Sequence, residues 1–171
     1  MDHLPFLDQT IKFSDGTSFE RLDPITDFRQ CHGVVPPERR ILYRCQRLSS
    51  PQSATGQRDE QYILKVKVQI PDSSDTKLPE ASEASHPSHS DATAHELSAL
   101  EIFQDAGTEY GPRLIAFDTL RQNPDGLLPG GYISCTIMNV IPGKSLFDLG
   151  YWSLEPEDRE EIQKAFLNAL A

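Results

Sequence analysis

The run QYILKVKVQI at residues 61–70 limits the choice of fold more than any other part of the chain. It is dense in β-branched and aromatic side chains, and it predicts a β-strand. Alternate side chains of a strand share a face, so both lysines of this run lie on one side of the sheet. That face carries Ile63, Lys65, Lys67 and Gln69, and the other carries Leu64, Val66 and Val68. The sequence therefore predicts a sheet with one apolar face and one face that bears lysines.

Shorter segments predict further antiparallel strands around this one. Ser-Asp-Gly-Thr at 14–17 lies between alternating apolar and polar residues and predicts a hairpin over 11–22. The longer predicted strands are 39–48, 61–70, 111–122 and 131–141. The polar stretch 49–60 predicts a loop. Six serines, three prolines and five acidic residues at 71–91 predict disorder, because such a segment buries too little apolar area to offset its chain entropy.

The hydrophobic period changes after this serine-rich segment. Residues 92–104 predict a helix that has Asp91 as its N-cap. Its inward stripe contains Glu96, Leu97, Leu100 and Phe103. A short helix is predicted at 144–149, and a longer one begins near Pro156, where a cluster of acids suits the helix dipole. The apolar positions of this last helix are Ile162, Phe166, Leu167 and Leu170.

The net charge of −10 argues against several classes of function. Residues 1–70 carry ten basic and nine acidic side chains (+1), whereas 71–171 carry six basic and seventeen acidic ones (−11). An acidic surface repels phosphate backbones and anionic lipids, so we expect no nucleic-acid or membrane binding. No apolar run approaches the roughly 18–20 residues of a membrane-spanning helix. The N-terminus lacks the apolar core of a secretory signal, and three scattered cysteines predict reduced thiols in a cytoplasmic or nuclear protein.

Three segments of the chain carry a resemblance through their order and spacing. They are YILKV at 62–66, HELSAL at 95–100 and MNVIPGKSL at 138–146. Together they resemble the lysine strand, the helix glutamate and the hinge with Pro-Gly-x-x-Leu of a protein-kinase-like fold, of the aminoglycoside phosphotransferase and choline kinase type common in fungi. The resemblance covers residues 25–171. It implies an α+β fold, with a five-stranded antiparallel N-terminal lobe, one packed helix, a hinge and one or two C-terminal helices.

The resemblance also implies a nucleotide site, with ATP as the ligand. Lys65 is expected to bind the phosphates, and Glu96 is expected to hold Lys65 in place. Ile63 is expected to cover the adenine, and the hinge is expected to contact it mainly through backbone groups. The nucleotide-binding residues implied are Ile63, Lys65, Glu96, Met138, Asn139 and Ile141. Lys67, on the same strand face, is the alternative to Lys65, and Glu101 is the alternative to Glu96.

The chain departs from the family at its phosphate loop and catalytic motifs. Only Gly33 occurs at 26–35, where a glycine-rich phosphate loop is expected. The chain has neither a His-x-Asp catalytic loop with its downstream Asn nor an Asp-Phe-Gly metal site, so we expect no catalytic residue and no metal site. The expected function is that of a truncated, pseudokinase-type chain with weak nucleotide binding and no phosphoryl transfer of its own. The alternatives are the N-terminal part of a longer ATP-dependent phosphotransferase and an unrelated α+β interaction protein.

The same reasoning divides the chain into three regions. Residues 1–24 are a hairpin extension, and 25–141 are the kinase-like lobe, which contains the 71–91 insertion. Residues 142–171 leave the hinge and begin the C-terminal helices. The apolar stripe of the last helix would have only part of its usual cover, so we expect a protein partner or self-association through that helix.

Overall fold

The computed structural model describes residues 4–48, 61–72, 88–108 and 110–170. These residues form an antiparallel sheet and two α-helices, so the fold is α+β, as expected. The strands are β1 (Thr10–Lys12), β2 (Ser18–Pro24), β3 (Arg29–Cys31), β4 (Glu38–Arg47), β5 (Gln61–Gln69), β6 (Leu114–Arg121) and β7 (Tyr132–Asn139). The helices are α1 (Asp91–Asp105) and α2 (Pro156–Leu170), with a 3₁₀ turn at Tyr151–Ser153 before α2. The predicted loop at 49–60 and residues 73–87 of the predicted disordered segment lie outside the described residues.

Within the described residues the sheet has seven strands, two more than the five expected, because the N-terminal hairpin belongs to it. Its order is β1-β2-β4-β5-β7-β6, and β3 also pairs with β4. The predicted hairpin is confirmed, with Ile11 opposite Phe19. Phe19 is in turn opposite Arg47, which joins the hairpin to β4. The four longer predicted strands are confirmed as β4 to β7, and each adjacent pair is antiparallel.

One face of the sheet forms the hydrophobic core. Leu64, Val66 and Val68 are fully buried on it, as their alternation predicts. The same core contains Leu4, Leu7, Ile11, Phe13, Phe19, Ile41, Tyr43, Cys45, Ile133, Cys135 and Ile137. Each large side chain buried in this way stabilises the fold by roughly 1.5–3 kcal/mol. Since Tyr62, Leu64, Val66 and Val68 of β5 point into this core, the lysines of the strand point to the opposite face, together with Ile63.

Helix α1 covers the opposite face of the sheet and packs on β6. The N-cap is Ser90 and not Asp91: the Ser90 side chain accepts a hydrogen bond from the Thr93 backbone N–H. Ser90 is buried, whereas Asp91 is exposed in the first turn, where its charge suits the helix dipole. Leu100 is buried, but Phe103 is 45% exposed, so the buried stripe of the helix ends before Phe103, earlier than predicted.

The chain after β7 is largely exposed. Residues 146–150 form turns, so the helix predicted at 144–149 is not present. The predicted last helix is confirmed as α2, and its Gln163 donates a hydrogen bond to the Tyr151 hydroxyl at 2.9 Å. Phe166 and Leu167 are 62% and 63% exposed, and Phe147 and Trp152 still more so. This segment therefore presents an apolar surface to solvent.

Candidate functional site

The structure joins Lys65 of β5 to Glu96 of α1 in an ion pair, as predicted. The Lys65 ammonium donates to Oε1 of Glu96. Both side chains are only partly buried, with 16% and 27% of their surfaces exposed. Glu101, the alternative acid, is exposed on the helix. The pair therefore lies at the edge of the helix–sheet interface, where both side chains keep some contact with solvent.

Lys67 lies deeper along the same face and shares the same carboxylate. Its Nζ is 2.9 Å from Oε2 of Glu96 and donates to the Thr93 hydroxyl at 2.8 Å. Its side chain is only 8% exposed. Each oxygen of Glu96 thus binds a different lysine, and the two lysines have different roles. Lys67 fastens α1 to the sheet, whereas Lys65 remains accessible.

Glu38, at the start of β4, is a second carboxylate next to Lys67 and, unlike Glu96, is fully buried. Its Oε1 is 3.8 Å from the Lys67 ammonium. Its Oε2 accepts hydrogen bonds from the Ser90 hydroxyl at 3.0 Å and the Tyr132 hydroxyl at 2.9 Å. Buried charges require such partners, because a carboxylate removed from water without them is very costly. A polar network therefore connects β4, β5, β7 and the N-terminus of α1.

Four members of this network were not predicted from the sequence: Glu38, Ser90, Thr93 and Tyr132. Helical spacing carried a signal for Thr93, because it lies three residues before Glu96 and seven before Leu100 on one stripe. Glu38 carried no such signal. Its place opposite Gln69 depends on the register between β4 and β5, and alternation within a strand gives only the face, not the register.

The network changes the acid–base behaviour of two groups. Burial alone would raise the pKa of Glu96, but hydrogen bonds from Lys65 and Lys67 outweigh burial and lower it. The pKa of Tyr132 is raised, first by burial and then by the neighbouring Glu38 carboxylate. Glu96 therefore stays ionised and Tyr132 stays protonated across the neutral range. The site offers a fixed carboxylate and an accessible ammonium, an arrangement suited to holding an anion.

The other predicted site residues lie towards the N-terminal end of β5, with Ile63 next to Lys65 on the same face. Ile63 is opposite Met138 of β7, and Met138 is buried. Asn139 ends β7, and its Oδ1 accepts a hydrogen bond from the Arg113 backbone N–H at 2.6 Å. Ile141 follows β7 and is 43% exposed. The structure thus places Ile63 beside Met138 on the face that carries Lys65, but it uses the Asn139 side chain to hold the start of β6.

A cavity of about 650 Å³ lies between the C-terminal end of α1, the start of β6 and Asn139. Its lining includes Gly107, Gly111 and Arg113. Asn139 is the one predicted site residue in this lining, and neither Lys65 nor Glu96 contributes to it. The ion pair of Lys65 with Glu96 and this cavity are therefore separate features, and Arg113 is the charged residue of the cavity lining.

Comparisons with known proteins identify no relative. No protein-family model, no curated protein and no solved structure matches the chain. In the parts of the chain that the structure describes, no helix is long and apolar enough to cross a membrane.

Proposed function

We propose that this chain is a kinase-like, nucleotide-binding domain that transfers no phosphate by itself. The observation that supports this proposal best is the ion pair between Lys65 of β5 and Glu96 of α1. A lysine on a strand, held by a glutamate on the neighbouring helix, is the arrangement that a protein-kinase-like fold uses for nucleotide phosphates. The resemblance implied this pair from the sequence.

The geometry also supports anion binding on physical grounds. An ammonium group has three N–H donors, and one donor of Lys65 is directed to Glu96. The remaining donors are available to phosphate oxygens. Because Lys67 has its own contacts to Thr93, Glu96 and Glu38, the helix stays fastened when a ligand competes for Lys65.

The proposed lack of phosphoryl transfer is based on the catalytic and metal-binding motifs that the sequence does not contain. Transfer depends on metal ions and exact positioning, and it needs a residue that orients the acceptor. The chain contains neither the Asp-Phe-Gly metal site nor the catalytic loop with its downstream Asn. Nucleotide binding should therefore be weak and largely independent of magnesium.

Calorimetric titration of the full chain with ATP, with and without magnesium, tests the proposal. We expect saturable binding in both conditions, and we expect Lys65→Ala to weaken it by at least about tenfold, the effect of losing a charged hydrogen bond. Lys164→Ala is the matched control, because Lys164 is exposed and, among the residues that the structure describes, forms an ion pair only with Glu160 of its own helix. Equal affinities for the Lys65 and Lys164 variants, or magnesium-dependent turnover lost in Lys65→Ala, would overturn the proposal.

The apolar surface after β7 favours a second candidate, the nucleotide-binding part of a longer ATP-dependent phosphotransferase. Phe147 is 90% and Trp152 is 82% exposed, and such a surface is usually covered by other protein. The full-length transcript distinguishes the two candidates. A reading frame that continues into a His-x-Asp loop and an Asp-Phe-Gly motif supports the enzyme, and a stop codon after Ala171 supports the non-catalytic domain.

A further inference from the structure

A row of cations crosses three strands on the face that carries Lys65. Arg29 of β3 is directly opposite Arg40 of β4, and Arg40 is directly opposite Lys67 of β5. Directly opposed residues of antiparallel strands place their side chains on the same face. The three positive groups are therefore neighbours, in a chain whose net charge is −10.

Such a row is unfavourable unless anions compensate it, because like charges directly opposite each other destabilise a sheet. Lys67 is compensated by Glu38 and Glu96. Arg29 has an exposed contact with Asp27, at 3.1 Å. Arg40 is exposed, and it has no ion-pair partner among the described residues. The middle cation of the row is thus the one whose charge remains available to an external anion.

Arg40 lies close to Lys65 as well as to Lys67. Leu42, two residues along β4, is directly opposite Lys65, so Arg40 and Lys65 are diagonal neighbours. Diagonal pairs on one sheet face are about 7–8 Å apart at the backbone, within reach of long side chains. A chain of linked phosphates can therefore bridge the two groups, whereas a single phosphate held by Lys65 leaves Arg40 unused.

The loop between β3 and β4 lacks the backbone donors that a phosphate-binding loop normally provides. Residues 32–37 contain one glycine, Gly33, and two prolines, Pro36 and Pro37. Proline has no backbone N–H, so two of these six positions offer no donor. A guanidinium at the base of this hairpin offers five donors in a planar fork that matches phosphate oxygens.

We infer that Arg40, supported by Arg29, is a phosphate-binding residue that makes this site select nucleoside di- and triphosphates over monophosphates and nucleosides. This inference rests on the proposed function and specifies the ligand class for the same site. The guanidinium groups of Arg40 and Arg29 take the role that the backbone amides of a glycine-rich loop normally have. They bind the phosphates that follow the one nearest the nucleoside. Lys65 binds the phosphate nearest the nucleoside, and Arg40 binds those farther along.

The test compares ATP, ADP, AMP and tripolyphosphate as ligands of the full chain and of Arg40→Gln. Arg47→Gln is the matched control, because Arg47 is an exposed arginine of the same strand whose side chain alternates to the other face. We expect Arg40→Gln to weaken ATP binding about tenfold and AMP binding less than about twofold, since only the longer ligand reaches the guanidinium. Without ligand, we expect Arg40→Gln to melt no lower than the unmodified chain, because the substitution relieves a like-charge contact.

The outcomes separate this inference from the proposed function. If ATP binding depends on Lys65 but Arg40→Gln behaves like Arg47→Gln, the role of Arg40 is wrong and the nucleotide proposal stands. If tripolyphosphate binds through Arg40 as tightly as ATP does, the adenosine part of ATP adds no affinity. The phosphate site then stands, and the nucleotide proposal fails. If neither ATP nor tripolyphosphate binds the unmodified chain, both are overturned.

Discussion

The Nζ atom of Lys67 lies 2.9 Å from Oε2 of Glu96, so the carboxylate that holds Lys65 also holds a second lysine on the same strand. This shared carboxylate fastens α1 to the sheet through a buried contact. The contacts of Lys67 with Glu96 and Thr93 therefore hold α1, and with it Glu96, on the sheet without the help of Lys65. Stability and ligand binding can be tested separately at these positions.

Glu96→Gln should destabilise the fold, because it removes the carboxylate shared by the partly buried Lys65 and the buried Lys67. We expect a loss of about 2 kcal/mol in the free energy of unfolding, less than for a fully buried pair since Glu96 keeps some exposure. Chemical denaturation measures the loss. Glu160→Gln removes the acid of an exposed pair and should change stability by less than about 0.5 kcal/mol. Equal effects of the two substitutions would contradict the shared anchor.

The Glu96 carboxylate should also make stability depend on pH. Its pKa in the fold is below the ordinary value of 4.5, so the unfolded chain binds this proton more readily. The stabilisation is fully present above about pH 4.5, and it is lost as the pH falls through the lower pKa of the folded state. The difference in unfolding free energy between the unmodified chain and Glu96→Gln should shrink over that acidic interval. A difference that stays constant down to pH 3 would contradict this prediction.

Ser90→Ala should destabilise the start of α1. Ser90 caps the helix and also donates to the buried Glu38, so we expect a loss of about 1–2 kcal/mol. Asp91→Asn is the matched control at the neighbouring position, and only the small contribution of its charge to the helix dipole should be lost. Thermal unfolding followed by circular dichroism compares the two. If Asp91→Asn destabilises the helix more than Ser90→Ala, the N-cap is assigned to the wrong residue.

Much of the fold could be predicted from local sequence patterns. Alternation in β5 correctly placed Leu64 and Val66 in the core and the lysines on the other face. The expected number of five strands is not confirmed, because the N-terminal hairpin joins the sheet through β2 and β4, and nothing in the residues of the hairpin indicates this pairing. Helix caps are also ambiguous when two capping residues are adjacent, as Ser90 and Asp91 are.

Only part of the candidate site could be predicted, because some of its residues are brought together by pairing between distant strands. The pair of Lys65 and Glu96 was expected from a known spacing, and the structure brings them together. Glu38 and Arg40 were not expected, because their positions relative to the lysines depend on strand register across the loop at 49–60. Local periodicity does not determine such long-range pairing.

The exposed apolar residues of α2 should promote association, either between copies of this chain or with a protein partner. We expect the double substitution Phe166→Ser and Leu167→Ser to reduce hydrophobic-dye binding and concentration-dependent sedimentation, with little loss of stability, because both side chains are largely exposed. Lys164→Ser is the control on the same helix. A purified chain that stays monomeric at high concentration and binds no dye would show that this surface is not an interface.

Nucleotide binding at Lys65 is tested most directly by finding which residues contact ATP. Amide and lysine side-chain NMR signals of the full chain, followed during ATP titration, report which residues meet the ligand. We expect the largest changes at Lys65, Arg40 and the N-terminal half of α1, and we expect these changes to be absent in Lys65→Ala. Changes confined to α2, or no changes at a high ATP concentration, would contradict nucleotide binding at the sheet face that carries Lys65 and Lys67.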